Sequence, residues 1–216
     1  MKGSKMEEDF KKNILKTGTT ILGIVCKDGV VMAADNRATA GNIVMSKNEK
    51  KVIQVNDYLL MAGCGMAAEI QKVPKYLGAE LKLNQLRSKS RPTIKQAAGL
   101  LSNLRTSGQS AYLLAGVNED GTTELYTSDP AGHIMKVEDY DANFGSGLMY
   151  VLGLLERQYK KGLSIKEGIE LAKEALKSST QRDTASGNGM DIFTITKEGI
   201  KRVAEIKIES NYKDRE

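Results

Sequence analysis

The 216-residue chain is predicted to fold as an α+β domain in four layers: a helix pair, two antiparallel sheets face to face, and a second helix pair, an αββα sandwich. Three observations carry that prediction. Apolar runs rich in strand formers come in adjacent pairs, which indicates antiparallel sheets rather than a wound parallel sheet. Helical patterning also comes in pairs, so the order is hairpins, two helices, hairpins, two helices, hairpin. Two helix pairs need two apolar faces to cover, and two stacked sheets supply them.

The elements follow in order. Apolar runs at residues 20–26 and 30–34 flank Asp28-Gly29, a hairpin signal. Residues 51–55 and 58–63 make a second strand pair around Asn56-Asp57. Helix formers then fill residues 66–87, with Pro74 marking a kink or a late helix start. Thr93-Ile94-Lys95-Gln96 has the capping-box pattern, and Ile94, Ala97, Ala98, Leu101 and Leu104 fall on one face. Strands return at residues 111–117 and 124–127. Helices follow at residues 146–159 and from a cap at Ser164-Ile165-Lys166-Glu167 to about Ser178. Residues 192–196 and 203–208 close the chain as a strand pair. No internal repeat or linker divides it, so one domain is expected after a polar leader at residues 1–18.

Composition excludes several chemistries. The longest charge-free stretch, residues 142–155, is too short for a bilayer, which needs about 20 apolar residues. His133 is the single histidine and follows the turn-like Asp129-Pro130-Ala131-Gly132, so zinc and serine–histidine chemistry have no obvious base. Cys26 and Cys64 lie in apolar, strand-like surroundings and read as small core residues, with no metal or other cofactor implied. The leader lacks the apolar core of a secretory signal, and the cysteine usage suits a reducing, cytoplasmic setting. The net charge of +5 raises nucleic-acid binding, but the basic residues are interleaved with acids and aromatics are only 5%.

With histidine and cysteine set aside, a base must come from elsewhere. Gly18-Thr19-Thr20 stands where the polar leader meets the apolar core. A threonine hydroxyl is a weak nucleophile without an adjacent base. Cleavage after Gly18 would give Thr19 a free α-amine, titrating near ~7.7–8.0, beside its own hydroxyl. Taken alone, the tripeptide reads equally as two strand threonines. Asp35 follows Thr19 by sixteen residues, and Lys51 follows Asp35 by sixteen more. Asp35 ends an otherwise apolar strand, where an acid is costly unless paired. A lysine near the α-amine would favour its neutral form by like-charge repulsion, and Asp35 would hold that lysine charged. Each charge in isolation also reads as solvated.

Thr19-Thr20-Ile21-Leu22-Gly23, Ala34-Asp35-Asn36-Arg37, Lys50-Lys51, Ala62-Gly63-Cys64-Gly65, Gly145-Ser146-Gly147 and the 181–187 segment QRDTASG occur in this order. Together they resemble proteasome β subunits of the archaeal type, which are N-terminal-nucleophile hydrolases with the αββα sandwich. The resemblance runs from about Thr19 to Ile208. It implies autolytic removal of residues 1–18 between Gly18 and Thr19, leaving a domain of residues 19–216. It also implies Thr19 as nucleophile with Asp35 and Lys51 beside it. Ser146, Asp183 and Ser186 are implied around the α-amine, and Gly65 as an oxyanion-hole donor. Read locally, Ser146 also fits a helix N-cap, and the stretch from Asp183 a polar turn. Phe144 stands where the family commonly has smaller residues, and Thr184 where it often has serine.

For binding, the resemblance implies a substrate pocket lined by Ala38, Thr39, Glu49, Ile53, Gly63, Ala67 and Gln71. Its small residues suggest depth for a large side chain, and an inward Glu49 would favour a basic one. The implied protein is a threonine endopeptidase acting on unfolded polypeptides, in a seven-membered ring of β subunits between α-subunit rings, served by a regulatory ATPase. A non-catalytic structural subunit of the same particle is the alternative. No nucleic acid or membrane is an expected partner.

Overall fold

The computed structural model describes residues 18–104 and 108–208; apart from Gly18, the expected leader lies outside them. Twelve strands and four helices are described. The strands are β1 (Ile21–Cys26), β2 (Gly29–Asp35), β3 (Ala38–Ala40), β4 (Ile43–Ser46), β5 (Val52–Asn56) and β6 (Leu59–Cys64), then β7 (Ala111–Val117), β8 (Thr123–Ser128), β9 (Ile134–Val137), β10 (Tyr140–Asp141), β11 (Gly189–Thr196) and β12 (Gly199–Lys207). The helices are α1 (Ala67–Ser88), α2 (Ile94–Asn103), α3 (Leu148–Gln158) and α4 (Ile165–Arg182).

Two five-stranded antiparallel sheets result, in the orders β10-β1-β2-β11-β12 and β5-β6-β7-β8-β9. They form the inner layers of the expected four-layer sandwich. Side chains alternate between faces along a strand, and here both faces are covered. On β1 and β2, Ile21, Val30, Met32 and Ala34 point between the sheets and meet Leu60, Ala62, Leu113 and Ile195. Their neighbours Leu22, Ile24, Val31 and Ala33 face outward onto Val151 and Leu155 of α3 and Leu171 and Leu176 of α4. On the other sheet, Leu59, Met61 and Leu114 face Val73, Leu77 and Leu81 of α1 and Ile94 and Leu101 of α2. Burial on both faces explains why these strands read as continuous apolar runs. Each fully buried aliphatic side chain contributes about 1.5–3 kcal/mol. Both capping boxes form, at Thr93 with Gln96 and at Ser164 with Glu167.

Some boundaries differ from the sequence reading. The helix expected to kink or start late at Pro74 begins at Ala67 and continues through the proline to Ser88. One missing N–H is outweighed by a buried stripe of Val73, Pro74, Leu77 and Leu81. The ribbon β3–β4 was not anticipated, because Ile43, Val44 and Met45 are 66%, 40% and 69% exposed and follow no core pattern. The strands β9 and β10, of four and two residues, are too short to carry a sequence pattern. α4 runs on to Arg182, so Asp183 becomes its C-cap. The cap of α3 is Gly147, not Ser146. Among the described residues, no helix is long and apolar enough to cross a membrane.

Candidate active site

The chain enters β1 through Gly18, Thr19 and Thr20, all buried. The Thr19 hydroxyl donates to the Gly18 carbonyl oxygen at 2.6 Å, and the Lys51 ammonium reaches the same oxygen at 3.4 Å. Gly18 N–H donates to Thr39 Oγ1 at 3.2 Å, and Thr19 N–H to Ser146 Oγ at 3.1 Å. The Thr19 nitrogen is an amide here and occupies the place of the α-amine that cleavage would free. A Cβ on Gly18 would fall 1.7 Å from Ala185 Cβ and 2.8 Å from Ser146 Oγ, so only glycine fits that approach.

Asp35 closes β2, and Lys51 stands just before β5. Lys51 Nζ lies 2.6 Å from Asp35 Oδ1, with side chains 4% and 0% exposed. The same oxygen accepts Thr20 N–H at 2.8 Å. Asp35 Oδ2 accepts Arg37 N–H at 2.9 Å and Gly187 N–H at 3.0 Å. A buried ion pair must recover a desolvation cost of several kcal/mol per charge, and this carboxylate does so with three backbone donors besides the lysine. Burial pushes the Lys51 ammonium below its ordinary range, with the Asp35 charge acting in the opposite direction.

A second group meets the same threonines from the α3 and α4 side. As C-cap of α4, Asp183 donates its N–H to Ser179 O at 2.8 Å, which fixes where its side chain starts. Asp183 Oδ2 accepts both the Ser146 and Ser186 hydroxyls, each at 2.6 Å, and Oδ1 accepts Ala185 N–H at 3.1 Å. Ser186 Oγ in turn lies 2.7 Å from Thr20 Oγ1. Ser146 is therefore bound to the Thr19 nitrogen and the Asp183 carboxylate rather than capping α3. A hydroxyl between a nitrogen and a carboxylate is arranged to hold and pass a proton.

Six of the seven residues expected for catalysis thus form one connected cluster: Thr19, Asp35, Lys51, Ser146, Asp183 and Ser186. Gly65, the seventh, follows β6 with φ +117°, and the next N–H, of Met66, donates to Ser110 Oγ at 3.1 Å. The residues expected to line a pocket lie on β3 (Ala38, Thr39), before β5 (Glu49), on β5 and β6 (Ile53, Gly63) and on α1 (Ala67, Gln71). Thr39 is buried on Gly18, while Ala67 and Gln71 are exposed. A Cβ on Gly63 would meet the Tyr112 ring at 3.1 Å and Ile70 Cγ1 at 3.2 Å, so Tyr112 and Ile70 already occupy the space beneath it. Glu49 is half-buried and donates its N–H to Asn36 O at 2.8 Å.

Sequence reasoning did not assign roles to Thr20, Arg37, Gly187 or Asn188. Arg37 donates from Nε to Asn188 Oδ1 and from Nη1 to Thr184 O, both at 2.8 Å, and so clamps the loop after α4 onto the end of β2. Its place two residues after Asp35 was the available signal. The other nucleophile candidates fall away. Burial pushes the Cys26 and Cys64 thiols up to about 12, and His133 sits exposed in its turn. Among the described residues, no three His, Cys, Asp or Glu side chains gather where a metal could bind.

A model of the family described as proteasome subunit matches residues 15–195. The chain is 41% identical over 190 residues to proteasome subunit beta of Nanoarchaeum equitans, covering 86% of this chain and 96% of that protein. It is 40% identical over 197 residues to proteasome subunit beta 1 of Thermococcus kodakarensis, covering 89% and 96%. Proteasome subunit beta 2 of Pyrococcus abyssi is 38% identical over 209 residues, covering 95% and 97%. With the sandwich fold, these matches make the chain a member of the proteasome subunit family, of the archaeal β type.

Proposed function

We propose that this chain is a catalytic β subunit of the 20S core, a threonine endopeptidase that cuts unfolded polypeptides through an acyl-enzyme on Thr19. The strongest support is the convergence at the Gly18–Thr19 bond. The hydroxyl and the Lys51 ammonium both address the Gly18 carbonyl, while Ser146 holds the Thr19 nitrogen. In autolysis, Thr19 Oγ bonds the Gly18 carbonyl carbon, the Gly18–Thr19 C–N bond breaks, and the hydroxyl proton ends on the freed amine. Water then cleaves the ester, giving a Gly18 carboxylate and a free Thr19 hydroxyl. The mature domain is residues 19–216.

In peptide cleavage the Thr19 amine takes the hydroxyl proton and later gives it to the leaving amine. Lys51, held by Asp35, keeps that amine neutral by like-charge repulsion. Ser146, Asp183 and Ser186 hold and relay its proton, and Gly65 N–H stabilises the oxyanion. Ala38, Thr39, Glu49, Ile53, Gly63, Ala67 and Gln71 line the pocket for the residue before the cut. As a proteasome β-type subunit the chain assembles with α subunits. The proposed particle is a cytoplasmic stack in which seven β subunits form each inner ring and a regulatory ATPase feeds in substrate.

The test is an intact mass of the chain from particles assembled with α subunits. The mature chain should begin at Thr19, having lost five lysines and three acids, with formal net charge falling from +5 to +3. Thr19→Ala should keep the leader and be inert. A mature mass beginning at Thr20 overturns the register. An unprocessed, inert wild-type chain in assembled particles identifies a structural subunit instead.

A further inference from the structure

Asp141 is an acid where none is expected. It ends β10, opposite Gly23 on β1, and is 3% exposed. Next to it, Ala142 is buried, and beyond it Phe144 packs on the core between the sheets. An ionised carboxylate in such surroundings is costly unless hydrogen-bonded. Burial raises the Asp141 pKa, and the Asn143 donors and the buried Thr127 side chain on β8 oppose that rise. Its two closest hydrogen bonds both come from one residue. Asn143 N–H donates to Asp141 Oδ1 at 3.1 Å and Asn143 Nδ2 to Oδ2 at 3.0 Å.

This clasp starts the loop that carries Ser146. Downstream, Gly147 N–H donates to Thr19 O at 3.3 Å, and a Cβ on Gly145 would come within 2.3 Å of that same oxygen. The loop is therefore pinned at its far end by the backbone of the reacting residue and at its near end by Asp141. Between those points the loop backbone sets where Ser146 starts, and Asp183 Oδ2 then holds its hydroxyl.

We propose that Asp141 is a positioning residue: its clasp on Asn143 sets the loop that delivers Ser146 to the Thr19 nitrogen. The inference rests on the reading of Thr19 as nucleophile. A shift of about 1 Å in such a group is enough to cost up to 10²-fold in rate.

The test uses assembled particles carrying Asp141→Leu, and the exchange Asp141→Asn with Asn143→Asp. The single variant keeps the branched outline of the side chain and removes both acceptors of the clasp, leaving the exposed Asn143 amide to water. The exchange restores complementarity, with the residue 141 amide donating to the residue 143 carboxylate and still accepting the residue 143 N–H. The single variant should lower kcat about 10–100-fold, with KM within about twofold and melting temperature nearly unchanged. The exchange should recover kcat to within about threefold. Wild-type kcat in the single variant overturns the proposal. So does an exchange variant that assembles with kcat still depressed. Failure of both variants to assemble also overturns it and assigns Asp141 to folding. Inert wild-type particles would instead sink the Thr19 reading.

Discussion

The two groups that meet at Thr19 are built on opposite plans. Asp35 and Lys51 form a charged pair at strand ends, and every other donor to the carboxylate is a backbone N–H. Ser146, Asp183 and Ser186 instead form a chain of hydroxyls on one carboxylate, carried by two loops and a helix C-cap. Strand ends within a buried sheet cannot shift without breaking the ladder, so the charge pair has a fixed position and a large penalty for loss of either partner. Loops held by several hydroxyl bonds to one carboxylate lose less when one hydroxyl goes, because the charge keeps its other donors. The difference separates a part that sets the electrostatics from a part that aims and passes a proton.

The largest effect should follow from breaking the pair. Lys51→Ala leaves Asp35 buried without its counter-charge, a change that costs about 3–5 kcal/mol in such sites. Turnover should fall by at least about 10²-fold, because the like-charge effect on the Thr19 amine is lost as well. Lys51→Arg should fail too, since a planar guanidinium is larger and does not reproduce the point charge. Adding Asp35→Asn to a Lys51→Met chain should restore stability without restoring turnover. Melting and peptidase assays on assembled particles separate the two roles. Near-normal peptidase activity in Lys51→Ala particles would mean that this pair is structural only.

A smaller effect is expected on the hydroxyl side. Ser146→Ala removes the acceptor of Thr19 N–H and one of the two hydroxyls on Asp183 Oδ2. Net losses of about 1–3 kcal/mol are typical when a buried partner is left unmade. Single-turnover acylation should slow about 10–100-fold, the rate equivalent of such a loss, with substrate binding little changed. If the slowing matches that of Lys51→Ala, the contrast between the two groups collapses.

The same contrast explains what the sequence made legible. Asp35 stands out because an acid at the end of an apolar run is anomalous, whereas Lys51 lies in the charged stretch KNEKK and is marked by its spacing from Asp35. The layered fold was legible for a related reason: strands buried on both faces and capping boxes at Thr93 and Ser164 leave strong local patterns. Ser146, Asp183 and Ser186 are ordinary residues for caps and turns, and only the family resemblance singled them out. Arg37 makes its contacts 147 and 151 residues away, a distance no local pattern carries. β3 and β4 escaped notice because their apolar side chains lie outside the core, although Gly41-Asn42 between them is a turn signal.

The smallest expected effect is on pH dependence, and it sharpens the account of Lys51. Turnover should rise with pH as the Thr19 amine, near ~7.7–8.0 when unperturbed, loses its proton. It should fall again when Lys51 deprotonates and releases Asp35. Burial outweighs the attraction of Asp35 and holds Lys51 below its ordinary 10.5, so the alkaline limb should lie below 10.5. The sign for stability is worked out in the same way. The native chain gives up this proton before the unfolded chain does, so between the lowered value and 10.5 the unfolded state binds more protons. The contribution of this one group to stability therefore rises with pH across that window, opposite to a surface ion pair. Profiles of kcat taken after brief exposure, with return to neutral pH to check recovery, isolate the titration from unfolding. An alkaline limb at or above 10.5 would show that Asp35 prevails over burial and that Lys51 stays charged wherever the particle survives.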